Sequence, residues 1–120
     1  MKKVILITGA SSGMGKVFAL DLAKEGHIVY GAARRMDLLE ELAQKGVHTI
    51  QLDVTEDTSM QSCVQTILDR EGRIDVLVNN AGYGSYGTIE DVPIEEAKRQ
   101  LEVNVFGLAR MTQLVLPAMR

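Results

Sequence analysis

The apolar positions of this chain alternate between two patterns. Val4-Ile5-Leu6-Ile7 is a short continuous apolar run, as a strand buried on both faces requires. Ile28-Val29-Tyr30 and Val76-Leu77-Val78 repeat it, and the stretch from Val47 to Leu52 is a weaker, alternating version. Between these runs the period lengthens. Leu38, Leu39, Leu42 and Ala43, and later Met60, Val64, Ile67 and Leu68, recur at helical spacing and predict an apolar stripe on one face of each helix.

The predicted helix ends carry their own signals. Gly26, Gly46 and Gly72 each follow a helical pattern and precede a strand, where a glycine closes a helix in the left-handed conformation. Thr58-Ser59-Met60-Gln61 fits a capping box opening the third helix. Pro93, followed by Glu95 and Glu96, suits the first turn of a fourth. The expected order is β-α-β-α-β-α-β, then a loop from Asn80 to about Val92, then a helical tail to Arg120. Strict alternation implies an α/β fold, a doubly wound parallel sheet with right-handed crossovers. With no repeat, linker or low-complexity stretch, residues 1–120 read as a single domain.

Composition narrows the function classes. A content of 46% hydrophobic and 24% charged residues is that of a globular chain, not a disordered one. A net charge of −3, no basic run and few aromatics give no general attraction for nucleic acid or anionic membranes. The single cysteine, Cys63, has no intrachain partner and reads as a partly buried helix thiol. His27 and His48 stand alone, so no metal site is expected. The first apolar run stops at Thr8-Gly9, too short for a secretion signal, and nothing approaches the ~20 apolar residues of a membrane span. A soluble, cytoplasmic protein is expected.

The most informative segment is Thr8-Gly9-Ala10-Ser11-Ser12-Gly13-Met14-Gly15, between the first strand and the first helix. A diphosphate needs a tight turn, backbone free of side chains, and helix N–H groups aimed at it; glycines supply the first two and the helix N-terminus the third. The amides between Ala10 and Met14 are the expected cradle. The spacing is not that of a P-loop, because five residues separate Gly9 from Gly15 and Val17 follows Lys16. Nor is it G-x-G-x-x-G; the pattern is G-x-x-x-G-x-G.

That turn resembles the short-chain dehydrogenase/reductase family, as do three further segments in order: Asp53-Val54, Asn79-Asn80-Ala81-Gly82, and Asn104 within Val103-Asn104-Val105-Phe106-Gly107. The resemblance covers essentially the whole chain and implies a Rossmann-like sheet, here incomplete with four strands. It implies that Gly9, Gly13 and Gly15 shape the pyrophosphate turn, lined by Ser11, Ser12 and Met14. It places Asp53 and Val54 at the adenine, and Asn80, Ala81 and Gly82 beside the ribose and nicotinamide. A competing role for Asp53 is capping the following helix. Asn79 reads rather as an amide bracing neighbouring strands.

The second strand ends Ala33-Arg34-Arg35, with no acid between Glu25 and Asp37. A carboxylate at that tip holds the ribose 2′-OH of NAD and repels a 2′-phosphate; Arg34, with Arg35 beside it, favours NADP(H) over NAD(H). Arg35 also suits a solvated helix entry. A basic residue at the Ser12 position, a second NADP signal of the family, is missing.

Reduction of a carbonyl also needs a proton donor. In the resembling family this is the tyrosine of Tyr-x-x-x-Lys, assisted by a serine. Tyr30, Tyr83 and Tyr86 are followed at that spacing by Arg34, Gly87 and Glu90. Only the asparagine of the set, Asn104, has a counterpart, which the resemblance expects to bend its helix and hold a water of the proton relay. The chain therefore reads as a dinucleotide-binding domain truncated before the catalytic segment. Its parent would interconvert an alcohol and a ketone or aldehyde, and the 120 residues alone would be inactive. The resemblance also implies a homo-oligomer. The alternatives are a stand-alone nucleotide-binding or regulatory pseudoenzyme module, and a methyltransferase, which ordinarily has an acid where Arg34 stands. The fourth strand is expected as an exposed edge, and the helical tail with an uncovered apolar face. The stretch from Tyr83 to Thr88 reads as a flexible turn more than a substrate contact.

Overall fold

The computed structural model describes residues 1–84 and 87–120. Strands β1 (Val4–Thr8), β2 (Ile28–Ala33), β3 (His48–Gln51) and β4 (Val76–Val78) form one parallel sheet in the order β3-β2-β1-β4. Ile5 pairs with Val29 on one side and Val76 on the other, so β1 is central. The connections are α1 (Gly13–Lys24), a 3-10 turn (Met36–Leu39) running into α2 (Glu40–Gln44), and α3 (Asp57–Glu71). After β4 come α4 (Ile94–Leu101), a π-helical turn (Glu102–Gly107) and α5 (Leu108–Met119).

Alternation along β1 sorts its side chains between two cores. Val4 and Leu6 pack with Met60, Val64 and Ile67 of α3 and with Met111 and Val115 of α5. Ile5 and Ile7 pack with Ala19 of α1 and with Leu39 and Leu42. Helices thus cover both faces, which is why β1 is apolar at every position rather than at every second one. This is the doubly wound α/β arrangement of the Rossmann type.

Gly26, Gly46 and Gly72 all have positive φ where helices give way to strands, as their positions demand. Four local expectations are corrected. The capping box at Thr58 does not form: α3 begins at Asp57, its N-cap Glu56 makes no side-chain cap, and Gln61 donates to Asp57 instead. The Ser59 hydroxyl has gone elsewhere, accepting the Asp53 N–H at 2.9 Å. In the second connection only Leu39 and Leu42 face inward, while Leu38 is exposed and so is Ala43, because the 3-10 turn rotates the stripe. Pro93 sits at the N-cap of α4, one position earlier than expected, its carbonyl accepting the Glu96 and Ala97 N–H groups. And the helical tail is covered in part: Met111 and Val115 are buried against α3, while Leu108, Leu116 and Met119 remain exposed as expected. β4 forms one edge of the sheet, with Val76 37% exposed.

Candidate functional site

The parallel sheet aims the carboxyl ends of all its strands at one rim, and the site is built there. At the end of β1 the buried Thr8 hydroxyl donates to the Val78 carbonyl at 3.4 Å and accepts the N–H groups of Asn80 and Ala81, each at 3.0 Å. One side chain thereby fixes the segment leaving β4 against the glycine turn.

The turn itself is held by backbone. Gly9 has φ +65°, and a Cβ there would lie 2.8 Å from Ala81 Cα. The Asn80 side-chain amide donates to the Gly9 carbonyl at 3.1 Å, and a Cβ on Gly15 would strike that same amide and carbonyl. Two glycines are thus required by the approach of chain to chain, whereas Gly13 (φ +60°) has only open space where a Cβ would stand. Ser12, extended at the N-cap of α1, makes no side-chain cap. The first N–H groups of α1 are those for which a helix has no internal partner, and they open onto this rim. Ala10 is different: its N–H is spent on the Ala32 carbonyl at 3.0 Å, so the expected cradle is shortened by one donor.

A cleft of about 550 Å³ runs beside the turn. It brings together Gly9, Ser11, Arg34, Asp53, Val54, Ala81 and Gly82 from the sequence-based set. Ser12, Gly13, Met14 and Gly15 form the adjoining turn and helix start, with Met14 68% exposed. Arg34 and Arg35 diverge. Arg34 lines the cleft and makes no ion pair among the described residues, while Arg35 pairs with Asp37 at 2.7 Å. That pairing holds the Asp37 carboxyl below its usual range.

Asp53 does not cap α3. Its Oδ1 accepts the Thr55 N–H at 2.9 Å and the Thr55 hydroxyl at 2.6 Å, closing a tight turn at the cleft wall. Burial pushes this carboxyl up, but the Thr55 hydrogen bonds and the charges of Arg34 and Arg99 outweigh it and leave it below the ordinary value. Val54 is buried and packs against Gly107, where a Cβ would meet the Val54 carbonyl oxygen at 2.7 Å. Asn79 braces a helix rather than a strand, donating to the Thr112 hydroxyl of α5 at 3.1 Å.

Asn104 lies in the π-helical turn between α4 and α5, not in an ordinary helix. Its amide is committed to Tyr83, and Gly82 passes so close that a Cβ would lie 2.8 Å from Asn104 Oδ1. Tyr30 is buried in β2, donating to Glu71 at 2.6 Å and stacked on His48, away from the rim. Tyr86 lies outside the described residues, as does part of the Tyr83 to Thr88 stretch. Cys63 is buried in α3, and burial pushes its thiol up to about 12, an unreactive state. Among the described residues no helix is long and apolar enough to cross a membrane.

Thr55 and Arg99 also line the cleft and were not singled out by the sequence, while Thr8 and Val103 entered there only as the first residues of longer motifs. Arg99 and Val103 stand one helical turn apart, so extending the helical period back from Val103 of the Asn104 segment would have found Arg99.

Comparison with known proteins agrees with this architecture. The family model described as short chain dehydrogenase matches residues 3–120. A 3-ketodihydrosphingosine reductase from Bacteroides thetaiotaomicron is 44% identical over 98% of this chain, which spans 42% of that protein. A short-chain dehydrogenase from Streptomyces avermitilis superposes with a TM-score of 0.94 at 41% identity, over all of this chain and 45% of that one. An alcohol dehydrogenase from the archaeon Thermococcus sibiricus, solved with 5-hydroxy-NADP, superposes with a TM-score of 0.92 at 35% identity; the match covers 99% of this chain and 54% of that one. The chain thus spans about half the length of the relatives it matches.

Proposed function

Because the chain belongs to the short-chain dehydrogenase family, a family of oxidoreductases, we propose that it is the NADP(H)-binding portion of an enzyme interconverting an alcohol and a ketone or aldehyde. The observation carrying this reading is Arg34 at the cleft rim without an ion-pair partner among the described residues, while the neighbouring acid, Asp37, is held by Arg35. A guanidinium at the strand tip can meet a 2′-phosphate, and no acid stands in the sequence between Glu25 and Asp37 to repel one, which favours NADP(H).

The residues present fit such a cofactor. Gly13 leaves open space at the start of α1, and the first amides of that helix, which have no partner within it, suit a diphosphate. Asp53 Oδ2, which accepts no hydrogen bond among the described residues, suits an exocyclic amine. Val54, Ala81 and Gly82 offer small or apolar wall to the rest of the dinucleotide. The cofactor's own contribution is the hydride. The contribution of this chain is placement: amides for the diphosphate, Arg34 for the 2′-phosphate, and the Asn80 to Gly82 segment, tied to Thr8, for the reacting end. The proton-donating Tyr-x-x-x-Lys belongs, on this reading, to sequence outside these 120 residues. The parent works on a small-molecule substrate as a homo-oligomer.

The test is a side-by-side titration with NADP+ and NAD+. One charge-assisted contact predicts a preference for NADP+ of about ten- to a hundredfold. Equal affinities remove the assignment.

A further inference from the structure

β3 closes one side of the sheet, and its outer edge is bare. The Leu52 N–H reaches the Ala33 carbonyl of β2 at 2.9 Å. Alternate residues of a strand point their backbone groups the same way, so Ile50 faces β2 while Thr49 and Gln51 turn their N–H and C=O groups outward. Among the described residues no backbone group bonds to them from that side. Open edges are ordinarily blunted by lysine or proline, and His48-Thr49-Ile50-Gln51 contains neither.

A groove of about 610 Å³ follows this edge, with Thr49, Ile50 and Gln51 on one wall and α3 on the other. The α3 wall presents short side chains, Ser62 and Thr66 among them, which leaves room for a second helix. Ile50 is half-buried, packed against the core below but open to the groove. The two ends of the groove differ in charge. The end nearer the strand tips has the carboxylates of Asp53 and Glu56 against one guanidinium, Arg34, and the other end has Arg70. Glu56 and Arg70 stand at opposite ends of α3, about 21 Å apart by helical rise. Neither makes an ion pair among the described residues.

We infer that the β3 edge is an interface between two copies of this chain, paired antiparallel about a twofold axis at Ile50. In that register Thr49 of each copy meets Gln51 of the other, and the outward residues exchange four backbone hydrogen bonds. Ile50 meets its own counterpart as the close, non-hydrogen-bonded pair, which covers the part of it left open in the groove. The same axis turns one copy end over end and brings Glu56 toward the partner's Arg70, and Arg70 toward the partner's Glu56. The groove's charge polarity thus fits a reversed copy of itself, as a closed twofold contact requires. This contact is independent of the dinucleotide reading and gives the homo-oligomer proposed above a definite surface.

Disulfide trapping tests both surface and register. Ile50→Cys places two thiols at the close pair, within disulfide reach. Gln51→Cys, although more exposed, lies beyond the roughly 7 Å that a disulfide spans from its own counterpart. With oxidised glutathione, Ile50→Cys should give a covalent dimer on non-reducing gels and Gln51→Cys should not. Added to Ile50→Cys, either Glu56→Arg or Arg70→Glu should slow cross-linking about three- to tenfold, and the two together should restore the rate. Thermal midpoints of each variant separate these outcomes from unfolding. The unsubstituted protein gives a second readout: exchange of the Thr49 and Gln51 amides should slow as its concentration rises. No dimer from Ile50→Cys, a Gln51→Cys dimer formed as fast, no restoration by the paired charge reversal, or amides indifferent to concentration overturns the inference.

Discussion

Asn104 and Tyr83 are joined through both ends of one side-chain amide: Asn104 accepts the Tyr83 N–H at 3.0 Å and donates to the Tyr83 carbonyl at 2.6 Å. The amide completes the pairing a neighbouring strand would otherwise give, and so fixes the chain just past Gly82 at the cleft. The π-helical turn carries the side chain that reaches across to it. Replacing Asn104 with Leu should leave the Tyr83 N–H and C=O without their partner, at a cost of about 1–2 kcal/mol. Urea unfolding should register that loss, and amide exchange at Tyr83 should quicken while exchange in β1 follows only the global change.

Arg34→Ala removes the cation at the strand tip but leaves the sheet pairing of β2 intact. NADP+ affinity should fall about ten- to a hundredfold, while NAD+ affinity changes by less than about threefold. Parallel titrations check this. A similar loss for both dinucleotides would place Arg34 in general packing instead.

The sheet, its helices and most of the site were legible because each rests on local chemistry. The continuous apolar run of β1 required two covered faces, and the two cores divide Val4 and Leu6 from Ile5 and Ile7 accordingly. What escaped was decided by distant partners. Ser59 has the sequence of a capping box, yet its hydroxyl serves the Asp53 amide, and Asp53 in turn serves Thr55. Asn79 was assigned to strands, but α5 passes close enough to bring Thr112 to it. Nothing in the local pattern reveals that Ala10 spends its amide on Ala32, or that the Thr8 hydroxyl gathers two amides from the segment leaving β4.

The glycines of the turn should be intolerant for different reasons. Gly15→Ala places a methyl against the Asn80 amide and the Gly9 carbonyl, so it should break the Asn80 to Gly9 bond and lower stability by about 1–3 kcal/mol. Gly13→Ala meets no atom and suffers only the left-handed φ, at a cost of about 1–2 kcal/mol. Thermal unfolding ranks the two, and NADP+ titration should show that Gly13→Ala loses binding as well, because its methyl stands in the space assigned to the diphosphate.

Asp53 makes stability depend on pH in a defined direction. Its carboxyl lies below the ordinary value in the folded chain, so the folded state favours the ionised form. That contribution is complete above the unfolded value of about 3.9 and disappears as pH falls through the lower folded one. The stability difference between the unsubstituted protein and Asp53→Asn should therefore be constant from about pH 7 to 5 and shrink below about pH 4. Urea unfolding across that range measures it.

The account depends on the amides at the start of α1 receiving a diphosphate, and a titration of the isotope-labelled protein with NADP+, followed by backbone amide resonances, reaches those atoms directly. The largest shifts should fall on Ser12, Gly13 and Met14, with Ala10, whose N–H is already bound to Ala32, moving less. Shifts that bypass the glycine turn and gather instead along β3 and α3 would contradict it.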